Sequence, residues 1–176
     1  SRGTLIQDVN IRTTDPWKNK ILAQLTCYKK KAPYYKEVIQ FLEEAFKTEF
    51  DDISSQNAHL LNETCKYLGI SFNYKVFSKS NLDIEEINHS GEWALKIAKS
   101  LNATQYINPI NGQELFDKNQ FDEENIDLKF LTHELAPYSQ RKPEFEPGLS
   151  ILDVMMFNSP EEVVKIIDDY KLISQP

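Results

Sequence analysis

Apolar residues recur at helical spacing through the first part of the chain. Trp17, Ile21, Leu25 and Tyr28 share one helical face, with Lys18 and Gln24 off it. Asp15-Pro16-Trp17 has the chemistry of a helix start. Asp can accept from the free first-turn amides, and Pro stands where no donor is needed. This helix is expected to run to about Lys31. Pro33 closes it and opens a second helix, whose stripe is Val38, Phe41, Leu42, Ala45 and Phe46. The short Ala-Pro connection makes the two an antiparallel pair. A third helix, capped by Ser54 or Ser55, carries Leu60, Leu61, Thr64, Cys65 and Leu68 and ends at Gly69, a natural left-handed residue after a helix.

Strand patterns follow. Leu5, Val9 and Ile11, with Ile6 opposite, fit one strand, and Phe72, Tyr74 and Val76 fit another. Glu92 to Leu101 is a short helix with Trp93, Ile97 and Leu101 inward, leading into an apolar run at Tyr106-Ile107-Asn108. Pro109 and Asn111-Gly112 stop that run, and the Asn-Gly pair predicts a sharp turn with positive φ. Ile126, Leu128 and Phe130 alternate with Asp127 and Lys129 as a half-buried strand. Ser150, with Asp153 in the place of the usual capping-box Glu, begins a helix whose buried face is Ile151, Leu152, Met155 and Met156. Ser159-Pro160-Glu161-Glu162 starts the last helix, which carries Val163, Val164, Ile166, Ile167 and Tyr170 into the core.

Helix, strand, loop, helix, strand is the rhythm of an α/β domain. The expectation is a small, mainly parallel sheet flanked by helices, with an antiparallel helix pair near the N-terminus, forming one domain over residues 1–176. One stretch fits no element. From Thr132 to Gly148, Pro137, Pro143 and Pro147 break every period, and loops this long inside a compact domain are functional or disordered.

Charge narrows the partners. A net charge of −7 disfavours a nonspecific grip on nucleic acid, and the one tight basic cluster, Lys29-Lys30-Lys31, reads as a solvated helix end. No apolar run reaches the ~18 residues of a membrane span, and no basic-apolar leader opens the chain. The expected protein is soluble and cytoplasmic. Cys27 and Cys65 sit in helical patterns without metal-ligand spacing, so buried reduced thiols are expected, with no metal and no cofactor.

Candidate chemistry gathers on the long loop. Tyr138 offers a ring and a hydroxyl, Gln140 a donor and an acceptor, and Arg141 with Lys142 a grip on phosphate. Against this stands a reading in which Pro137-Tyr138 only packs the loop onto the core. Glu146, with Glu144, is the candidate general base, although two loop carboxylates in an acidic protein are usually solvated. Ser150 lacks the Gly-x-Ser-x-Gly surroundings of a nucleophile and reads as a cap, as does Asp153. The amides beside Gly148 and Ser150 still offer an anion site. Asn108, Gly112 and Glu114 follow a strand end, where open α/β sheets place ligands. A turn with a capping Glu explains them equally. His59, His89 and the adjacent His133-Glu134 pair show no partner at catalytic spacing.

The string YINPINGQELFDKNQF, then IDLKFL, LAPYSQ and FEPGLSILDVMMFNSPEEV, together with WKNKILAQLTCYKKKAPYYKEV, closely resembles the WbqC-like family of bacteria over nearly the whole chain. The resemblance implies a role in surface-polysaccharide (O-antigen) gene clusters. The implied chemistry is transfer of a glycyl or other acyl group, or a glycosyl group, to a nucleotide-activated amino sugar. The substrate is then a small molecule, a nucleotide sugar. Such proteins also carry an upstream strand and a Gln-Pro…Pro…Gly-Tyr-Phe loop, which would precede Ser1. The run Ser78-Lys79-Ser80-Asn81-Leu82 is only loosely like the family's. The alternative is a non-catalytic ligand-binding or assembly module, either a homo-oligomer or one completed by a partner that supplies the missing strand. An exposed apolar edge at Leu5 to Ile11 would favour it.

Overall fold

The computed structural model describes residues 4–12 and 14–174. The chain folds as two compact units, residues 1–78 with 135–168 and residues 79–134 with 169–176.

The first unit is helical. Its elements are α1 (Trp17–Leu25), α2 (Tyr35–Ala45), α3 (Ile53–Tyr67) and the later pair α6 (Ile151–Phe157) and α7 (Pro160–Asp168). The stripes expected from the sequence meet in one core of Val38, Leu42, Phe46, Leu68, Met155, Met156 and Val163, with Trp17, Ile21, Leu25 and Tyr28 packed against it. The Trp17 ring stands edge-on to Phe46 at 5.3 Å, and Lys18 donates to the Phe46 carbonyl. The start of α1 therefore lies against the end of α2, the antiparallel pair that the Ala-Pro connection predicts. Lys29 to Lys31 are exposed, as a solvated helix end requires. Gly69, at φ +71°, closes α3.

Several local expectations are corrected here. Asp52, not Ser54 or Ser55, caps α3, accepting from the Ser55 amide at 2.7 Å. Asp15 does not cap α1: its carboxylate holds Lys20 at 2.6 Å, and Pro16 stands at the cap position with no side-chain acceptor. α1 gives way to a 3-10 turn at Thr26–Tyr28 before Lys31 is reached. The strand expected at Leu5 to Ile11 is a 3-10 turn at Ile6–Asp8 followed by a single bridge from Asn10 to Asp52. Its alternation had no second face to bury, and Leu5 and Ile6 remain 60% and 69% exposed. Residues 71–76 belong to no helix or strand, and Phe72 stacks on Tyr74 instead at 5.2 Å. Neither cysteine is buried: both thiols are free, Cys27 exposed and Cys65 half-buried.

The second unit carries α4 (Glu92–Ser100), β1 (Gln105–Pro109), α5 (Lys118–Glu123), β2 (Asp127–His133) and β3 (Tyr170–Ser174). β2 is central. It pairs parallel with β1, Tyr106 opposite Leu128, and antiparallel with β3, Phe130 opposite Ile173. The fold is thus α/β with a mixed three-stranded sheet, half parallel where a mainly parallel one was expected. The inward residues of β2, Leu128 and Phe130, are almost fully buried with Phe121, Ile126 and Ala98.

Replacing Phe130, 0% exposed, by Ala removes the centre of that core and should cost about 3–5 kcal/mol of unfolding free energy. Chemical denaturation measures it. A loss below about 1 kcal/mol would mean that the ring does not pack as described.

Candidate functional site

In the first unit, the long loop owes its shape to a carboxyl group. Asp153 lies on the first turn of α6, 5% exposed among apolar neighbours. Its Oδ2 accepts from the Tyr28 hydroxyl at 2.7 Å, and its Oδ1 accepts from the Tyr138 hydroxyl at 2.5 Å and the Gln140 amide at 3.1 Å. A buried carboxyl is tolerated only when its lone pairs are met by donors, and here three converge on it. Asp153 therefore does not serve the capping role expected of it. Ser150 does cap, accepting from the Leu152 amide at 3.3 Å.

Gln140 continues the network. Its amide nitrogen donates to the Glu146 carbonyl at 3.0 Å, and its amide oxygen accepts from the Glu146 backbone N–H at 2.9 Å. The side chain thus pairs with the backbone as a neighbouring strand would, closing residues 140–146 into a fixed turn. Tyr138 meets Phe145 edge-on at 5.2 Å across that turn. The turn is completed by Arg141 at φ +51° and by Gly148 at φ +71°. For Arg this left-handed conformation is strained, and such strain persists only where the surroundings impose it.

Burial and the Asp153 carboxyl beside it push the Tyr138 phenol up to about 12, while Gln140 pulls slightly the other way. Burial, then the same carboxyl, raises the Tyr28 phenol beyond the usual tyrosine range. Both phenols hold their protons because the proton is the hydrogen bond.

The residues singled out in sequence divide between the units. Tyr138, Gln140, Arg141, Glu146, Gly148 and Ser150 belong to the first unit, and Asn108, Gly112 and Glu114 to the second. Within the first unit, Tyr138 and Gln140 are brought together and spend their polar atoms on Asp153 and the loop backbone. Arg141 is exposed, and among the described residues its guanidinium forms no ion pair. Glu146 has its backbone pinned by Gln140, while its exposed carboxylate lies 3.7 Å from Lys142. α6 is a single short stretch of seven residues whose first turn is already capped by Ser150, which leaves little free dipole for an anion.

In the second unit the Asn111-Gly112 pair makes no positive-φ turn. Both lie in a 3-10 helix, Ile110–Leu115. Gly112 leaves room instead: a Cβ there would meet the Asn108 amide nitrogen, and that side chain would have to shift. That amide donates to the Pro109 carbonyl at 2.9 Å, and its oxygen accepts from Tyr106 at 3.1 Å. Glu114 is exposed nearby in sequence. His59 is satisfied by the Ala45 carbonyl at 3.0 Å, and His89 lies 3.3 Å from Glu92, a carboxylate held well down, at about 2, by the Asn88 backbone N–H and then by Lys96. Glu134 pairs with Lys171 at 2.7 Å.

Sequence reasoning missed Tyr28 and Asp153 as partners. One signal was present: Asp153 and Met156, three apart, share a helical face, so a carboxyl stands on an otherwise apolar stripe.

Comparison with known proteins gives the chain's family. The profile of the WbqC-like protein family matches residues 1–165, and the chain belongs to that family. It is also similar to the uncharacterized protein Rv1507c of Mycobacterium tuberculosis, 29% identical over 129 residues, which is 72% of this chain and 54% of that protein. The chain spans about half the length of the curated relative it matches. No solved structure matches it.

Two predictions follow from the geometry. Since the Tyr138 phenol is raised from near 10 to about 12 in the folded state, its stabilising contribution is complete below pH ~10 and is lost as pH rises from about 10 to 12. Tyr138→Phe should lower unfolding free energy by about 1–2 kcal/mol at neutral pH and flatten the decline above pH ~10. An unchanged alkaline slope would contradict the Asp153 contact. Separately, Gly112→Ala should destabilise the protein by displacing the Asn108 amide. In the Asn108→Ala background the same change should cost markedly less, a coupling of about 0.5 kcal/mol or more in a double-mutant cycle; strict additivity would contradict the steric account.

Proposed function

We propose that the protein is a transferase of surface-polysaccharide (O-antigen) precursor synthesis, acting in the cytoplasm on a nucleotide-activated amino sugar that docks on the long loop of the first unit. The group moved is glycyl or another acyl group, or a glycosyl group. Family membership supports the pathway, since WbqC-like proteins suggest surface-polysaccharide association. The observation that carries the site is Arg141, held in a left-handed conformation at an exposed turn by the buried Gln140 clamp. The clamp fixes the backbone from which the exposed Arg141 side chain extends, so binding a phosphate there has only the side chain left to order.

In this reading Arg141 takes the diphosphate, aided by Lys142. Tyr138, Gln140 and Asp153 position the loop and do not touch the reacting atoms. Gly148 and Ser150 border the same turn. Glu146 is the candidate base that takes the proton lost by the accepting amine or hydroxyl, a role it can fill only when bound substrate displaces the water around its exposed carboxylate. Asn108, Gly112 and Glu114, in the second unit, remain separate candidate contacts for a ligand.

The second reading is a non-catalytic assembly module, and the sheet of the second unit favours it. Among the described residues β1 and β3 each have one strand neighbour, and Leu172 and Ile173 of β3 are 40% exposed, so either edge offers backbone donors to a partner or a second copy. The segment at Leu5 to Ile11 does not provide such an edge, because it forms no strand. Among the described residues no helix is long and apolar enough to cross a membrane.

Thermal-shift and calorimetric titration with UDP-N-acetylglucosamine tests the first reading. The ligand should raise the melting temperature. Arg141→Gly should leave the free protein as stable or slightly more so, by relief of strain, while weakening binding on the order of tenfold or more. Equal affinity in the variant would remove Arg141 from the site.

A further inference from the structure

One edge of the sheet in the second unit is open to another strand. β1 pairs with β2, and among the described residues no backbone pairing is made on its other side. Backbone groups alternate in direction along a strand. The Thr104 carbonyl accepts from the Asp127 N–H on the β2 side, so the groups of Gln105 and Ile107 face away from β2. Side chains alternate too: Tyr106 packs into the core under α4, and Ile107, 43% exposed, points to the opposite face.

An apolar groove of about 540 Å³ lies beside that edge. Trp93, Ile97 and Leu101 of α4 line it, with Gln105 and Tyr106 of β1 and Phe116, and none of the lining residues belongs to β2. The three α4 positions recur every four residues and form one stripe, expected to face inward. Trp93 and Leu101 nevertheless stay 43% and 45% exposed. The helix thus shows apolar surface next to an unpaired strand. An extended chain laid on this edge would meet the strand with its backbone and the groove with alternate side chains.

Charge separates this edge from the one at β3. Lys171 stands in β3, exposed and paired with Glu134, and a lysine on an edge discourages further pairing. Gln105 to Pro109 carries no charge. The charges of α4 are met within the chain, Glu92 by Lys96 and Lys99 by Glu85 and Glu124. Two copies can therefore approach here without local like-charge repulsion, although each carries a net −7. Area agrees with a second copy. Trp93, Leu101 and Ile107 leave roughly 100 Å² each in solvent. With the strand edge and the groove walls each copy would bury about 600 Å², which meets the ~1,200 Å² in total of a small specific interface.

We propose that the chain forms a two-fold dimer through β1, the two edge strands pairing antiparallel and continuing the sheet across the interface. An axis at Ile107 makes the pairing self-complementary. Each Ile107 N–H donates to the Ile107 carbonyl of the partner subunit, Tyr106 stands opposite Asn108 of the partner subunit, and the apolar stripes of the two α4 helices meet over the groove. The dimer rests on the second reading above, of which it names the edge and the partner.

Analytical ultracentrifugation of the full chain over the micromolar range tests this. The protein should sediment as a dimer. Ile107→Lys, which sets two like charges directly opposite each other, should give a monomer, and Leu101→Glu should weaken association on the order of tenfold or more. Both residues are exposed, so both variants should fold, as circular dichroism checks. In a Cys27→Ser, Cys65→Ser background, which removes the free thiols, Ile107→Cys should cross-link two copies on mild oxidation, because paired Cα atoms ~5.5 Å apart lie within disulfide range. A monomer at every concentration, or a dimer indifferent to Ile107→Lys, would overturn the proposal. A dimer broken by Leu172→Lys and not by Ile107→Lys would also overturn it, and would leave the second reading standing through β3.

Discussion

The burial of one carboxyl group organises the most unusual part of this protein. Asp153 sits on an apolar helix face, where an unpaired charge or dipole would be costly, and three donors from two distant stretches of chain converge on it. Tyr28 comes from the turn that ends α1, and Tyr138 and Gln140 come from the loop. Each contact removes a penalty as well as adding a bond, so the network is worth more intact than its parts suggest. It converts a segment with no repeating backbone hydrogen bonds into a defined surface.

The consequences run outward from that point. Gln140 cannot reach both Asp153 and the Glu146 backbone unless the chain turns sharply between residues 140 and 146, and Arg141 takes the left-handed conformation at that turn. An exposed, strained cation is therefore a result of a buried amide's hydrogen bonds. The strain is local and is sustained by the clamp behind it. Recognition and architecture are separate in this arrangement: the buried side chains set the shape, and the exposed ones meet whatever binds.

Much of the helical unit was legible in sequence because its apolar stripes are regular and its stops are explicit. Gly69, Ser150 and Ser159-Pro160 mark boundaries by backbone chemistry alone, and the elements fall where those residues put them, as does the start of α2 just after Pro33, although α1 stops short of it at Leu25. Strands were harder. Leu5 to Ile11 and Phe72 to Val76 alternate well enough, but a strand needs a neighbour, and nothing local encodes one. β3 was hidden by the reverse effect, since Tyr170 continues the spacing of the helix before it. Asn111-Gly112 misled because the pair favours a hairpin turn, whereas here the glycine makes space for Asn108. Long-range partnerships such as Tyr28 with Asp153, far apart in the chain, have no periodic signature at all.

The central claim is that the loop holds one shape because Gln140 clamps its backbone, and hydrogen exchange at a single amide tests it most directly. The Glu146 N–H donates to the Gln140 side chain, not to solvent. It should exchange at least ~100-fold more slowly than an unstructured peptide, and this protection should vanish in Gln140→Ala. Exchange at the unstructured rate in the wild-type protein would contradict the account.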